Sequence, residues 1–149
     1  RHNNGLFAKH QSGYLKNRSC ETAITKIHND VLLQIDKKNH TVLLLLDLSA
    51  AFDTINHERL ISRLKTVYGF SGTILAWVKS YLSCRSFVVN VKGEVSSSCE
   101  LEIGVPQGSI LGPLFFILYI KELQDLVESH GLNIHLYADD TQIYRLSII

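Results

Sequence analysis

Three acidic residues at the ends of β-prone runs are the positions in this chain best suited to chemistry. Asp139 and Asp140 stand side by side in Tyr137-Ala138-Asp139-Asp140, with His135-Leu136 before them and Thr141-Gln142-Ile143-Tyr144-Arg145 after. Tyr, Ile and Thr favour strands and Asp favours the turn between them, so residues 133–145 read as a β-hairpin with two carboxylates at its tip. Adjacent like charges repel, and folding alone gains nothing from them. A bound divalent cation removes that cost and uses both groups. Taken alone, the pair favours a solvated polar turn, so the metal reading needs a third carboxylate delivered to the same place.

Asp47 is the candidate. Thr41 to Leu46 is an apolar run of strand length, which suits a strand buried on both faces of a sheet. An acid closing such a strand either caps the next element or sits at the strand's carboxyl end, where open α/β sheets place their ligands. Three carboxylates converging at a sheet edge suit Mg²⁺, with Mn²⁺ as a substitute, because the ion takes hard oxygen ligands and keeps part of its water. Two such ions can hold the attacking and leaving oxygens of an in-line phosphoryl displacement.

The elements that must deliver these acids are legible from hydrophobic spacing. Residues 1–18 read as loop, with a turn signal at Gln11-Ser12-Gly13-Tyr14. Ser19 can cap a helix over about 20–37 that turns Ala23, Ile24, Ile27, Val31, Leu32 and Ile35 inward. A strand over 41–47 follows, then a helix over about 56–67 with Leu60, Ile61 and Leu64 inward, ending at Gly69. Ser71-Gly72-Thr73 opens another helix to about Leu82. Residues 86–92 read as a strand, with a turn starting at Gly93-Glu94 and an antiparallel return over 97–103. The turn-rich segment from Gly104 to Pro113 leads into an apolar helix over about 110–128. The expected fold class is therefore α+β: an antiparallel sheet with helices on one face, as in split βαβ folds, in which the first strand and the last hairpin are central neighbours. That order brings Asp47 to Asp139.

Bulk properties narrow the classes. The 149 residues are 46% apolar, enough for one domain with a core. The chain has no Met and begins with Arg1, which leads us to expect a piece of a longer polypeptide. No signal peptide is visible, and the longest apolar run, Leu114 to Ile120, is far short of the roughly 20 residues that span a bilayer. Cys20, Cys84 and Cys99 lack ligand spacing and suit reduced thiols in a reducing compartment. The net charge is +1, but residues 1–40 are basic and the remainder acidic. A basic front on an acidic, metal-ready body suits a polyanionic substrate.

Asp47-Leu48-Ser49-Ala50-Ala51-Phe52-Asp53, Gly104-Val105-Pro106-Gln107-Gly108-Ser109 and Tyr137-Ala138-Asp139-Asp140, in that order, resemble motifs A, B and C of reverse transcriptases, specifically those of non-LTR (LINE-type) retrotransposons. Gln11-Ser12-Gly13-Tyr14 and Ser19-Cys20-Glu21-Thr22-Ala23 resemble the finger segment that precedes motif A in that group. His57, Trp77 and Ser80 to Ser83 fall where such elements carry similar residues. The resemblance implies a partial fingers segment over 1–40 and a palm core, of the RRM or ferredoxin-like kind, over 41–149. It also implies RNA-directed DNA polymerase activity on an RNA template, a DNA primer and deoxynucleoside triphosphates, with no membrane partner and a nuclear working site.

The residue roles come from the same resemblance. Asp47 and Asp139 are the principal Mg²⁺ ligands, the Leu48 carbonyl assists, and Asp140 completes the carboxylate set. Phe52 is the steric gate that excludes a ribose 2′-hydroxyl. Pro106 stiffens its turn, and Gln107, Gly108 and Ser109 lie against the nascent base pair and template strand. Phe52 also reads as a core aromatic, and Ser109 as a helix cap. Asp53 and His57 read as braces of the turn after motif A. Lys16, Arg18, Arg63, Lys65 and Arg85 are candidate backbone-phosphate contacts. Leu15 stands where relatives usually carry an Arg. Three other readings stand beside it: a palm-type nucleotide cyclase, which uses the same acids, a non-catalytic nucleic-acid-binding module, which does not need them, and an inactive remnant of a mobile element.

Overall fold

Ser19 begins the first helix as its side chain predicts. In the computed structural model, which describes residues 5–147, the Ser19 hydroxyl accepts from the Thr22 amide at 3.3 Å and the Thr22 hydroxyl accepts from the Ser19 amide at 3.0 Å. This reciprocal capping box satisfies two donors that the first turn leaves unpaired. The elements then run α1 (Cys20–Asp36), β1 (His40–Asp47), α2 (His57–Thr66), α3 (Gly72–Leu82), β2 (Ser86–Phe87), β3 (Asn90–Val91), β4 (Glu94–Val95), β5 (Cys99–Glu100), α4 (Leu111–Ser129), β6 (Asn133–Tyr137) and β7 (Asp140–Ser147). They form two units, Arg1–Ala51 with Phe116–Ile149, and Phe52–Phe115.

The first unit holds a three-stranded antiparallel sheet in the order β1-β7-β6. Its core gathers Ile134, Leu136 and Tyr144 from the sheet, Ala23 from α1, and Phe116, Ile117, Ile120 and Val127 from α4. Helix α1 is tied to the central strand by polar contacts. The Tyr144 hydroxyl donates to Asp30, which also receives the Lys26 ammonium at 2.7 Å. The expected class, α+β with an antiparallel sheet, is met, and β1 does lie beside the last hairpin.

Two expectations are corrected in this unit. The apolar run of β1 is not buried on both faces: Val42 is 70% exposed and Leu45 68%, with Leu43, Leu44 and Leu46 exposed too. Faces are buried by elements packed on them, and α1 packs against β1 without closing over it. Nor is β1 a central strand: among the described residues it has a neighbour on one side only. Helix α1 likewise buries Ala23 but leaves Ile24, Leu32 and Ile35 exposed. An open apolar groove of about 410 Å³ runs between α1 and β1, lined by Ile24, Ile27, Val31, Leu43 and Leu45.

The second unit pairs α2 with α3, and buries Leu60 and Leu64 of the first helix and Val78 and Leu82 of the second. Asn56 caps α2 by accepting from the Arg59 amide at 2.9 Å. The strand expected over 86–92 is broken into β2 and β3; the return expected over 97–103 holds only β5, and β4 begins where the turn was expected. The ribbons are two separate pairs, β2 with β5 and β3 with β4, and the inner pair turns at Lys92-Gly93, both with positive φ. That is the φ pattern of a type I′ turn, whose twist matches paired strands. No helix among the described residues is long and apolar enough to cross a membrane.

Candidate active site

The β6–β7 connection is as tight as an antiparallel hairpin allows. Tyr137 pairs with Asp140, and the turn between them consists of Ala138 and Asp139 alone. Ala138 has φ +56° and Asp139 does not share that sign, the φ pattern of a type II′ turn, which normally takes glycine first. An alanine held there costs about 1–2 kcal/mol, so its surroundings must impose the conformation.

The same turn sets the acids. The β1–β7 ladder ends with Asp47 directly opposite Asp140, and Asp139 precedes Asp140 in the turn. Residues directly opposite in antiparallel strands share a face, with Cβ atoms roughly 4.5–5.5 Å apart, and like charges there destabilise the pair. Asp47 and Asp140 are exposed and Asp139 is half-buried. Among the described residues no basic side chain forms an ion pair with any of the three, and no three ligating side chains are close enough together to hold a metal. The strand register thus brings Asp47 to Asp139 and Asp140 as expected, while the three carboxyl groups are not drawn together into a cage. The donor set, hard oxygens with uncompensated charge, fits a hard divalent cation in its chemistry. Tyr14 lies near this tip: burial raises its phenol pKa, and the neighbouring Asp139 and Tyr137 raise it further.

A segment that sequence reasoning read only as a turn, and as part of the finger resemblance, reaches the tip directly. Residues 10–12 run beside β6, with a parallel bridge from Gln11 to Leu136. The Leu136 amide donates to the His10 carbonyl at 2.9 Å and the Ser12 amide to the Leu136 carbonyl at 2.7 Å. The Gln11 side chain, 1% exposed, accepts from the Gly13 amide at 2.9 Å and from the Ala138 amide at 3.2 Å through Oε1. A side chain at Gly13 has no room, since a Cβ there would lie 2.1 Å from the Ala138 nitrogen. Arg18 fixes the segment from behind by donating to the carbonyls of Gln11 at 2.6 Å and Lys9 at 3.0 Å. Ser12 Oγ meets His135 Nε2 at 3.0 Å. Burial, then the charges of His10, Lys26 and Arg18, lower the His135 pKa to about 4, so the ring is neutral near pH 7.

The other motif residues lie in the second unit and brace one another. The Val105 amide donates to the Phe52 carbonyl at 2.8 Å and the Gly104 amide to the Ile55 carbonyl at 2.7 Å. His57 Nε2 meets the Gly104 carbonyl at 2.6 Å. Gln107 Nε2 donates to both carboxylate oxygens of Asp53, at 3.2 and 3.1 Å. Asp53 and His57 thus brace the segment after motif A, as their positions suggest. Phe52 is half-buried, between the two readings of its ring. Pro106 to Ser109 closes with the Ser109 amide on the Pro106 carbonyl at 3.2 Å. Gly108 supplies φ +75° at the third position, the type II sign pattern. Ser109 Oγ accepts from the Gly112 amide at 2.9 Å, so the helix-entry reading of Ser109 is met. Arg85 donates to the Tyr81 carbonyl at 2.7 Å and covers the Tyr81 ring at 4.3 Å. Arg18 and Arg85 are therefore both engaged by their own chain.

Comparison with known proteins agrees with the motifs. Residues 2–147 match the family model described as reverse transcriptase (RNA-dependent DNA polymerase). The chain is 30% identical over 140 residues to a probable RNA-directed DNA polymerase from transposon BS of Drosophila melanogaster, covering 91% of this chain and 15% of that protein. It is 31% identical over 144 residues to the RNA-directed DNA polymerase from mobile element jockey of the same species, covering 93% of this chain and 16% of that protein. It thus spans about a sixth of the length of these relatives. In fold it is similar to apo telomerase from Candida tropicalis truncated from the C-terminal domain, with a TM-score of 0.65 at 18% identity over 93% of this chain and 30% of that one. The chain belongs to the reverse transcriptase (RNA-dependent DNA polymerase) family, on the side carried by non-LTR retrotransposons.

Proposed function

We propose that this chain is the catalytic core segment of a retrotransposon RNA-directed DNA polymerase. The observation that carries the reading is the register of β1 against β7, which sets Asp47 opposite Asp140 beside the Asp139 turn. A primer 3′-hydroxyl attacks the α-phosphate of a deoxynucleoside triphosphate paired to an RNA template, and pyrophosphate leaves. Asp47, Asp139 and Asp140, with the Leu48 carbonyl, would hold Mg²⁺. Two such ions, when bound, neutralise the charge that develops on the attacking and leaving oxygens. The chain's own part is to hold the backbones that carry these carboxylates close together, on a strand end and a two-residue turn.

In this reading residues 1–40 form part of the fingers and 41–149 the palm, a split βαβ sheet of the RRM or ferredoxin-like kind. Phe52 gates the sugar, and Pro106, Gln107, Gly108 and Ser109 line the base pair and template. The half-buried Phe52 ring and the tight 106–109 turn suit these roles. The working site is the nucleus. The test is primer extension on an RNA template by a polypeptide carrying this sequence. Asp139→Asn should abolish extension while circular dichroism and thermal unfolding stay near those of the parent. Near-normal extension by that variant would overturn the assignment.

A further inference from the structure

We propose that Gln11 and Gly13 are positioning residues that hold the Asp139–Asp140 turn in its working conformation. The inference rests on the function proposed above for those acids, but the structural half of it stands alone. Ala138 occupies a left-handed conformation, φ +56°, that a non-glycine residue rarely adopts. Its amide hydrogen, at the head of the turn, is taken by Gln11 Oε1 at 3.2 Å, and the same oxygen takes the Gly13 amide at 2.9 Å. Gln11 is 1% exposed, so water does not compete for these bonds, and its backbone carbonyl is fixed by Arg18 at 2.6 Å. Gly13 lies against Ala138 so closely that any side chain there would displace the turn.

One carboxamide therefore joins the upstream segment to Ala138, the first of the two residues between β6 and β7. Removing it leaves a strained alanine free to relax, and Asp139 moves with it. Side chains that orient the groups performing chemistry typically contribute 10–100-fold to activity when lost. A brace of this kind acts through the turn, so its loss should lower kcat and leave the KM for the deoxynucleotide nearly unchanged.

The experiment uses a polypeptide carrying this sequence and four forms of it: the parent, Gln11→Ala, Ala138→Gly and the double variant. Glycine adopts positive φ without strain, so it removes the need for the brace. Amide hydrogen exchange at Ala138 and Gly13 is read alongside primer extension. We expect Gln11→Ala to raise exchange at both amides at least tenfold and to lower kcat 10–100-fold, and Ala138→Gly in that background to recover most of the lost kcat. Unchanged exchange and unchanged kcat in Gln11→Ala would overturn the proposal. So would a loss of kcat that Ala138→Gly does not relieve, since Gln11 would then act by another route. If the parent shows no extension, the polymerase reading fails, and the exchange data alone decide whether Gln11 holds the turn. If Gln11→Ala does not fold, refolding in the double variant supports the brace, and its failure there counts against it.

Discussion

The hydroxyl of Tyr144 and the carboxylate of Asp30 form a hydrogen bond that ties the middle of α1 to the central strand β7. Tyr144 is 2% exposed and Asp30 receives Lys26 as well. Burial would raise the Asp30 pKa, but the hydrogen bonds from Lys26 and Tyr144 outweigh it and hold the carboxyl below its ordinary value. Burial and the same carboxylate push the Tyr144 phenol up. Tyr144→Phe keeps the ring and removes the donor. Hydrogen bonds to charged groups contribute about 1.5–3 kcal/mol, and Asp30 still reaches solvent, so the loss should fall near the lower end. Chemical denaturation of the variant measures it, and an unchanged midpoint would show that the bond adds nothing.

His135 should make the fold acid-sensitive. The unfolded chain takes up a proton on this ring near pH 6.5, whereas the folded chain resists until about pH 4. Between those values the unfolded state binds more protons, so stability falls as pH drops, and the loss is complete below about pH 4. The difference in affinity corresponds to about 3 kcal/mol at most. Urea midpoints taken from pH 7 to pH 4 should decline in the parent and decline less in His135→Gln. Parallel declines would place the sensitivity elsewhere.

Two glycines separate strain from crowding. Gly93 has φ +95° with open space around it, and Gly104 has φ +86° with the Asp53 carbonyl 2.8 Å from where a Cβ would stand. Gly93→Ala should cost about 1–2 kcal/mol, the penalty of the left-handed conformation alone. Gly104→Ala adds a clash with backbone, and should exceed it by at least about 1 kcal/mol. Equal losses in thermal unfolding would refute the crowding at Gly104.

Asp47→Asn should divide stability from activity. The substitution removes the like-charge opposition to Asp140 at the end of the β1–β7 ladder, so the metal-free fold should gain a few tenths of a kcal/mol. Primer extension should disappear. Mg²⁺ should raise the unfolding temperature of the parent and have less effect on the variant, as binding to the folded state requires. Equal stabilisation of both by Mg²⁺ would remove Asp47 from the set of ligands.

Much of this fold was legible in the sequence because its signals are local. Ser19 announced α1 through its cap, and the β-prone residues on either side of Asp139-Asp140 announced the last hairpin. The approach of Asp47 to the Asp139–Asp140 tip followed once strand order was inferred, but the register that sets Asp140 opposite it did not. The exposure of β1 was not legible, since an apolar run reports strand formation but not what covers the faces of the strand. The breaks between Phe87 and Asn90 and between Val95 and Cys99 were hidden for a similar reason: β propensity is continuous where pairing is not. The embrace of Ala138 by Gln11 was out of reach, because a contact spanning 127 positions leaves no periodic trace.

The outer flank of β1 has a practical consequence. Along it Val42, Leu43, Leu44, Leu45 and Leu46 meet solvent beside backbone groups that no other described strand covers. Such a border is a template on which further chains can add, as cross-chain β pairing requires. A preparation of these 149 residues will tend to self-associate along that border, and a charged substitution at Val42 or Leu45 is the first remedy for keeping it monomeric.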